Sequence, residues 1–242
     1  MMRPAGAGAG AAASGVEARI PIGPGLVGDL VTPRDAIGVT LFAHGSGSSR
    51  RSPRNRFVAG ELNRRGIATL LFDLLAPDEE ALRANVFDVE LLGSRLVGTT
   101  HWLLAQPRVA GLAPCFFGAS TGAAAALAAA AQLGPAVRAV VSRGGRPDLA
   151  GAELPHVESP TLLIVGGDDL AVLELNRRAL AELRCERELA IVRGATHLFE
   201  EPGTLERAAQ LAGDWLAEHL RQPARPAAGS VSVEIVDPVG AS

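Results

Sequence analysis

Residues 114–134 read PCFFGASTGAAAALAAAAQLG: an apolar run, one serine between two glycines, then a run built mostly of alanine. The pattern predicts a buried strand to Ala119, a junction at Ser120, and a helix from Thr121 to Leu133 ended by Gly134 and Pro135. Gly118 and Gly122 remove Cβ atoms where strand and helix approach, and alanine side chains let that helix lie close to a sheet. A serine at such a junction matches G-x-S-x-G, in which a strained turn lifts a hydroxyl above the sheet. The plainer alternative is a tight turn in which Ser120 merely fits. In a chain with 28 glycines among 242 residues the pattern arises by chance too readily to stand without partners.

The rest of the chain supplies a context. Strand-like and helix-like segments alternate from Val16 to Leu220, the pattern of a mostly parallel, doubly wound α/β sheet. Two half-polar segments, VEARIPI and LVGDLVTP, suit an antiparallel lead-in. AIGVTLFAH, GIATLLFDLL, APCFFGAS, VRAVVSRGG and PTLLIVGGDD are short continuous apolar runs suited to strands buried on both faces, followed by the more polar RELAIVRGATH. Helical patterns lie between them, including one continuous segment over 81–106. In the last helix Leu205, Ala208, Ala209, Ala212, Trp215, Leu216 and Leu220 fall on one face. Residues 1–15 are low-complexity and expected to be disordered, 16–221 form the domain, and 222–242 form a flexible tail in which VSVEIV could pair as an edge strand.

Composition excludes several classes. All 23 basic residues are arginine, so phosphate loops, Schiff-base chemistry and Ser-Lys hydrolysis lack their lysine. There is no tyrosine for a Tyr–Lys dehydrogenase pair. A net charge of -3 gives no push toward nucleic acid or membrane, and no apolar run is long enough to span a bilayer. Cys115 and Cys185 match no metal spacing and read as reduced thiols, which favours the cytoplasm.

A serine nucleophile needs a base, and the base an orienting acid. Of five histidines, His101 and His219 lie inside amphipathic helices, and His156 lies in a loop without a fixed place. His44 ends the first long strand. His197 follows the last one, at the carboxyl edge where open α/β sheets place their ligands. Asp168 and Asp169 end the intervening strand at the same edge, and the order Ser, Asp, His is that of α/β-hydrolases. HGSGS, residues 44–48, would place the Ser46 N–H beside that of Thr121 as an oxyanion hole.

LFAHGSGSSRRSPRN, FGASTGAAAAL, VVSRGGRPDL, LLIVGGDDLAVLELN and GATHLFEEPG together resemble the α/β-hydrolase superfamily, and within it the dienelactone-hydrolase-like branch. Some members of the similar bacterial subgroup are fused to a phosphoribosyltransferase domain. The resemblance implies an α/β-hydrolase fold and makes Asp169, the fourth position of G-x-x-D, the acid rather than Asp168. One departure stands out: dienelactone hydrolase uses a cysteine nucleophile, and here the position holds Ser120. Cys115, five residues upstream in the strand, cannot replace it.

Only residues 142–159 separate the two strands between which relatives insert a cap, so no cap domain is expected. Arg143 and Arg146 lie at the site's edge, with Arg50, Arg51 and Arg54 nearby. They, with His44, would bind substrate, an anionic one if the guanidinium groups are free. The other reading is solvated arginine paired with Asp78, Glu79, Glu80 or Asp148. The expected function is a cofactor-free, metal-free serine hydrolase of small soluble esters, lactones or thioesters, acting through an acyl-enzyme. An acyltransferase using the same residues and a non-catalytic binding module are the alternatives.

Overall fold

The computed structural model describes residues 14–21, 24–222 and 229–240, so expectations for 1–13 and 223–228 lie outside the described residues. Nine strands form one sheet: β1 (Ser14–Ile20), β2 (Leu26–Thr32), β3 (Gly38–Ala43), β4 (Ile67–Phe72), β5 (Pro114–Ala119), β6 (Val140–Arg143), β7 (Thr161–Gly166), β8 (Arg187–Val192) and β9 (Val231–Val236). Their order is β1-β2-β4-β3-β5-β6-β7-β8-β9. β1 and β2 run antiparallel at one edge, and every pairing from β4 onward is parallel. β3 to β7 are buried at every residue, which is why their sequences read as unbroken apolar runs rather than alternating ones.

Helices cover both faces. α1 (Pro53–Arg64) and α7 (Thr204–Arg221) share one apolar layer, with Val58, Leu62, Ala208 and Leu216 against Phe42, Phe117 and Ile164 of the sheet. The other layer includes α4 (Val89–Leu104), α5 (Gly122–Leu133) and α6 (Leu170–Glu182), through Leu96, Leu127 and Leu180. In α5 every residue from Gly122 to Ala130 is buried, so the alanine run sits inside the protein, enclosed by β5, α4 and the turns after β6.

Three expectations are corrected. The single helix foreseen over 81–106 is two pieces, α3 (Arg83–Val86) and α4, and a separate short turn, α2 (Pro77–Glu80), precedes them. Asp88 accepts the Leu91 N–H at 2.9 Å and starts α4 afresh, since a side-chain oxygen satisfies a donor that no preceding turn supplies. The tail is not wholly flexible either: β9 adds in parallel to β8, from Arg187↔Val231 to Val192↔Val236. β1 likewise begins at Ser14, inside the segment expected to be disordered. After β6, residues Pro147–His156 form tight 3-10 turns, and no cap domain stands over the carboxyl edge. Among the described residues no helix is long and apolar enough to cross a membrane.

Candidate active site

Ser120 joins β5 to α5 with φ +51, a left-handed conformation that is costly for any residue but glycine. The turn is pinned on both sides, because Ser120 N donates to Arg143 O at 3.3 Å and Arg146 N donates to Ser120 O at 3.0 Å. Its glycines are sterically required. A Cβ on Gly118 would lie 2.4 Å from Ala123 Cα, and one on Gly122 would lie 2.2 Å from Ala43 O.

His197, on the loop after β8, donates from Nδ1 to Asp169 Oδ2 at 2.7 Å, which leaves Nε2 as the basic nitrogen. Asp169 directly precedes α6, whereas Asp168 is exposed, so the geometry joins His197 to the second carboxylate of the pair. Glu201 fixes the histidine loop by accepting from Thr196 N at 3.0 Å and from Thr196 Oγ1 at 2.6 Å. The Thr196 hydroxyl, and then its N–H, hold the Glu201 carboxyl below the usual carboxylate range. Ser120 and His197 line one cavity of about 250 Å³ with Leu198, Arg143, Arg54 and Asn55. Among the described residues no hydrogen bond joins Ser120 Oγ to His197; such contacts commonly tighten only when substrate is bound.

Of the two proposed oxyanion donors, one is bonded to the side chain of the other's residue. Ser46 N–H donates to Thr121 Oγ1 at 2.9 Å, across the mouth of the elbow. In this structure that N–H is occupied.

The arginine and histidine expectations divide. Arg143 is only 7% exposed yet lines the cavity. Its Nη2 reaches Asn55 Oδ1 at 3.4 Å, and its Nε and Nη1 have no partner among the described residues. Burial, and after it the neighbouring Arg54 charge, push its guanidinium down to about 10, so it stays cationic at neutral pH without a counter-ion. Arg146 does not join it. Two bonds of 2.8 Å bind its guanidinium to Asp148, and those bonds raise it above the ordinary value. His44 is not a free substrate ligand: Nδ1 bonds Gly45 O at 3.0 Å and Nε2 accepts the Leu74 N–H at 3.1 Å. It clips the glycine-rich loop to the end of β4.

Two contributors escaped the sequence reading. Asn55 faces Arg143 from the first turn of α1, where Ser52 caps the helix by accepting the Asn55 N–H at 3.3 Å. The Ser-Pro start of α1 was the available signal. Glu201 had no comparable signal, since its partner is a loop N–H. Among the described residues no group of three or more His, Cys, Asp or Glu could hold a metal ion.

No protein-family profile matches the chain. A protein of Mycobacterium tuberculosis, found in two strains and named provisionally as a phosphoribosyl transferase, is 60% identical over 208 residues, covering 86% of this chain and 47% of that protein. The chain thus spans about half the length of the curated relatives it matches. The crystal structure of dienelactone hydrolase from Anabaena variabilis is 53% identical, with a TM-score of 0.84, over 86% of this chain and 99% of the other. Est1E from Butyrivibrio proteoclasticus shares the fold at 16% identity, with a TM-score of 0.74 over 86% of this chain and 100% of that one. An α/β-hydrolase from Penicillium does so at 15% identity, with a TM-score of 0.73 over 87% of this chain and 100% of that one. With the elbow, the sheet order and a relative of this identity along nearly its whole length, the chain is an α/β-hydrolase enzyme and belongs to the dienelactone hydrolase family.

Proposed function

We propose that the protein is a serine hydrolase of small anionic esters, acting through a Ser120–His197–Asp169 triad. The observation that carries the proposal is the 2.7 Å bond from His197 to Asp169 in the cavity that also holds Ser120 on its left-handed turn. His197 Nε2 takes the Ser120 proton while Oγ bonds to the carbonyl carbon, and the carbonyl oxygen becomes an oxyanion held by the backbone N–H groups of Thr121 and Ser46. As the oxyanion collapses, the bond to the leaving oxygen breaks, and His197 hands that oxygen the proton. Water then attacks the acyl-enzyme, gives a proton to His197, and releases the acid while Ser120 regains its hydrogen. No step draws on a cofactor. Asp169 fixes the tautomer that leaves Nε2 basic and stabilises the imidazolium.

The anionic preference rests on Arg143, a buried cation with two unpartnered donors. A buried charge without a partner is costly, and a substrate carboxylate would relieve it by a charge-assisted pair. The Anabaena relative is named for a lactone, and lactones suit the same chemistry. Cys115 and Cys185 are buried and unpaired, which fits a reducing compartment such as the cytoplasm.

The test is labelling with a fluorophosphonate, followed by initial rates on small acyl esters. Wild type should be labelled at Ser120 and should hydrolyse the esters, and Ser120→Ala should do neither. Absence of labelling in the folded wild type would remove the serine nucleophile.

A further inference from the structure

A second, smaller cavity lies against the other side of the oxyanion loop. Gly45, Ser46 and Ser48 line both cavities and form the wall between them. The second holds about 20 Å³, room for one or two methyl-sized groups, and its far side is Leu74, Leu75, Val86 and Leu92. The two differ in charge. The larger contains Arg54 and Arg143, whereas the smaller has an apolar far side with Glu80 and Asp73 also in its lining. Asp73 is paired with Arg50 at 2.7 Å, so no cation remains there for an anionic group.

The direction of the reaction assigns an arm of the substrate to each cavity. The base that takes the serine proton must return it to the leaving oxygen, so the leaving group lies beside His197. His197, Leu198 and Arg143 share the larger cavity. The carbonyl oxygen points into the wall, at Ser46 N and Thr121. The acyl arm is assigned to the remaining side, beyond the loop, where Leu74, Leu75 and Val86 line the small cavity. The Ser46 N–H bond to Thr121 Oγ1 lies in the wall that separates the two cavities, and an incoming oxygen would compete for the same N–H.

We infer that the preferred substrates are short-chain acyl esters of hydroxy acids, with an acetyl-sized acyl group in the small cavity and the carboxylate, carried by the leaving alcohol, against Arg143. The inference rests on the hydrolase reading above and narrows it. It separates esters whose charge lies on the leaving alcohol from monoesters of dicarboxylic acids, whose charge lies on the acyl side and would meet Glu80 and the leucines.

Two isomers of identical composition and charge test it on the wild-type protein: 3-acetoxypropanoate and monomethyl succinate. The expected result is a kcat/KM at least about tenfold higher for 3-acetoxypropanoate, since a charge-assisted contact made on one side only discriminates by that order. Lengthening the acyl group to butanoyl should reduce kcat/KM by about tenfold or more, and Val86→Ala should recover much of that loss, as methylene-sized changes in an apolar pocket do. Equal rates for the isomers, or faster cleavage of monomethyl succinate, would overturn the assignment. Phenyl acetate and the fluorophosphonate serve as controls. If phenyl acetate is cleaved and Ser120 is labelled while the isomers are equal, the arms are misassigned and the hydrolase stands. If neither control responds, the hydrolase reading fails and this inference falls with it.

Discussion

His197 Nδ1 and Asp169 Oδ2 lie 2.7 Å apart, while the neighbouring carboxylate of Asp168 is exposed to solvent. Only the first can set the tautomer of the ring. Asp169→Asn should therefore lower kcat on a small ester by about a thousandfold or more, whereas Asp168→Asn should change it by less than about threefold. Steady-state rates of the two purified variants decide the matter, and a reversed ranking would move the orienting role to Asp168.

The buried Arg143 charge predicts a conflict between stability and recognition. Its folded value, about 10, lies below the ordinary 12.5, so its protonated form opposes folding at neutral pH, and that opposition is relieved as pH rises above about 10. Arg143→Met should be more stable than wild type by about 1 to 3 kcal/mol in chemical denaturation and should lose the preference for anionic esters. In wild type that preference should fade as pH climbs through about 10, where the guanidinium gives up its proton. A destabilised methionine variant would mean that Arg143 is a structural residue.

The thiols should be silent. Burial pushes Cys115 up to about 12 and raises Cys185 as well, so neither presents a thiolate near neutrality. Prolonged treatment with iodoacetamide should leave ester hydrolysis intact while a fluorophosphonate abolishes it. Inactivation by the thiol reagent would contradict a serine-only mechanism.

Glycines in two settings should respond oppositely to alanine. At Gly122 the new methyl would sit 2.2 Å from Ala43 O and 2.5 Å from His44 O, both backbone atoms that cannot yield cheaply. Gly122→Ala should cost about 2 kcal/mol or more and distort the elbow. Gly60 lies within α1 with only the Arg64 guanidinium tip, at 4.0 Å, near the same position. Gly60→Ala should stabilise by up to about 1 kcal/mol through helix propensity. Thermal melts of the two variants provide the comparison.

Much of this architecture was legible because burial on both faces leaves a direct trace: β3 to β7 are unbroken apolar runs, and the alanine run of α5 marks a helix inside the protein. The elbow and the order Ser, Asp, His were readable for the same reason, since strand ends at the carboxyl edge place their next residues together. What escaped depends on distance or on backbone partners. The choice between Asp168 and Asp169, which follow the same strand, rested on the G-x-x-D resemblance alone, and the path of the loop turns Asp169 to His197 as that resemblance implied. Arg143 and Arg146 look equivalent in sequence, yet Asp148 captures the second, while the first meets Asn55 and the Phe199 ring and no carboxylate among the described residues. His44 is chemically suited to a site, but both its nitrogens are spent on main-chain atoms that carry no side-chain signature. The break at Asp88 did have a signal, an acidic cap before an apolar run, which the continuous helical period on either side obscured. β9 was visible as an alternating segment, but its pairing with β8 is a long-range contact that no local pattern fixes.

The left-handed backbone at Ser120 sets the residue proposed as nucleophile against the residue that would fold best. Glycine at that position would relieve a strain of roughly 1 to 3 kcal/mol, and Ser120→Gly should make a sturdier and inert protein. Left to drift under pressure for folding alone, the chain would lose its hydroxyl early. The serine thus stands where the fold would be easier with glycine, so a screen for thermal stability alone would select against the hydroxyl that the proposed chemistry needs.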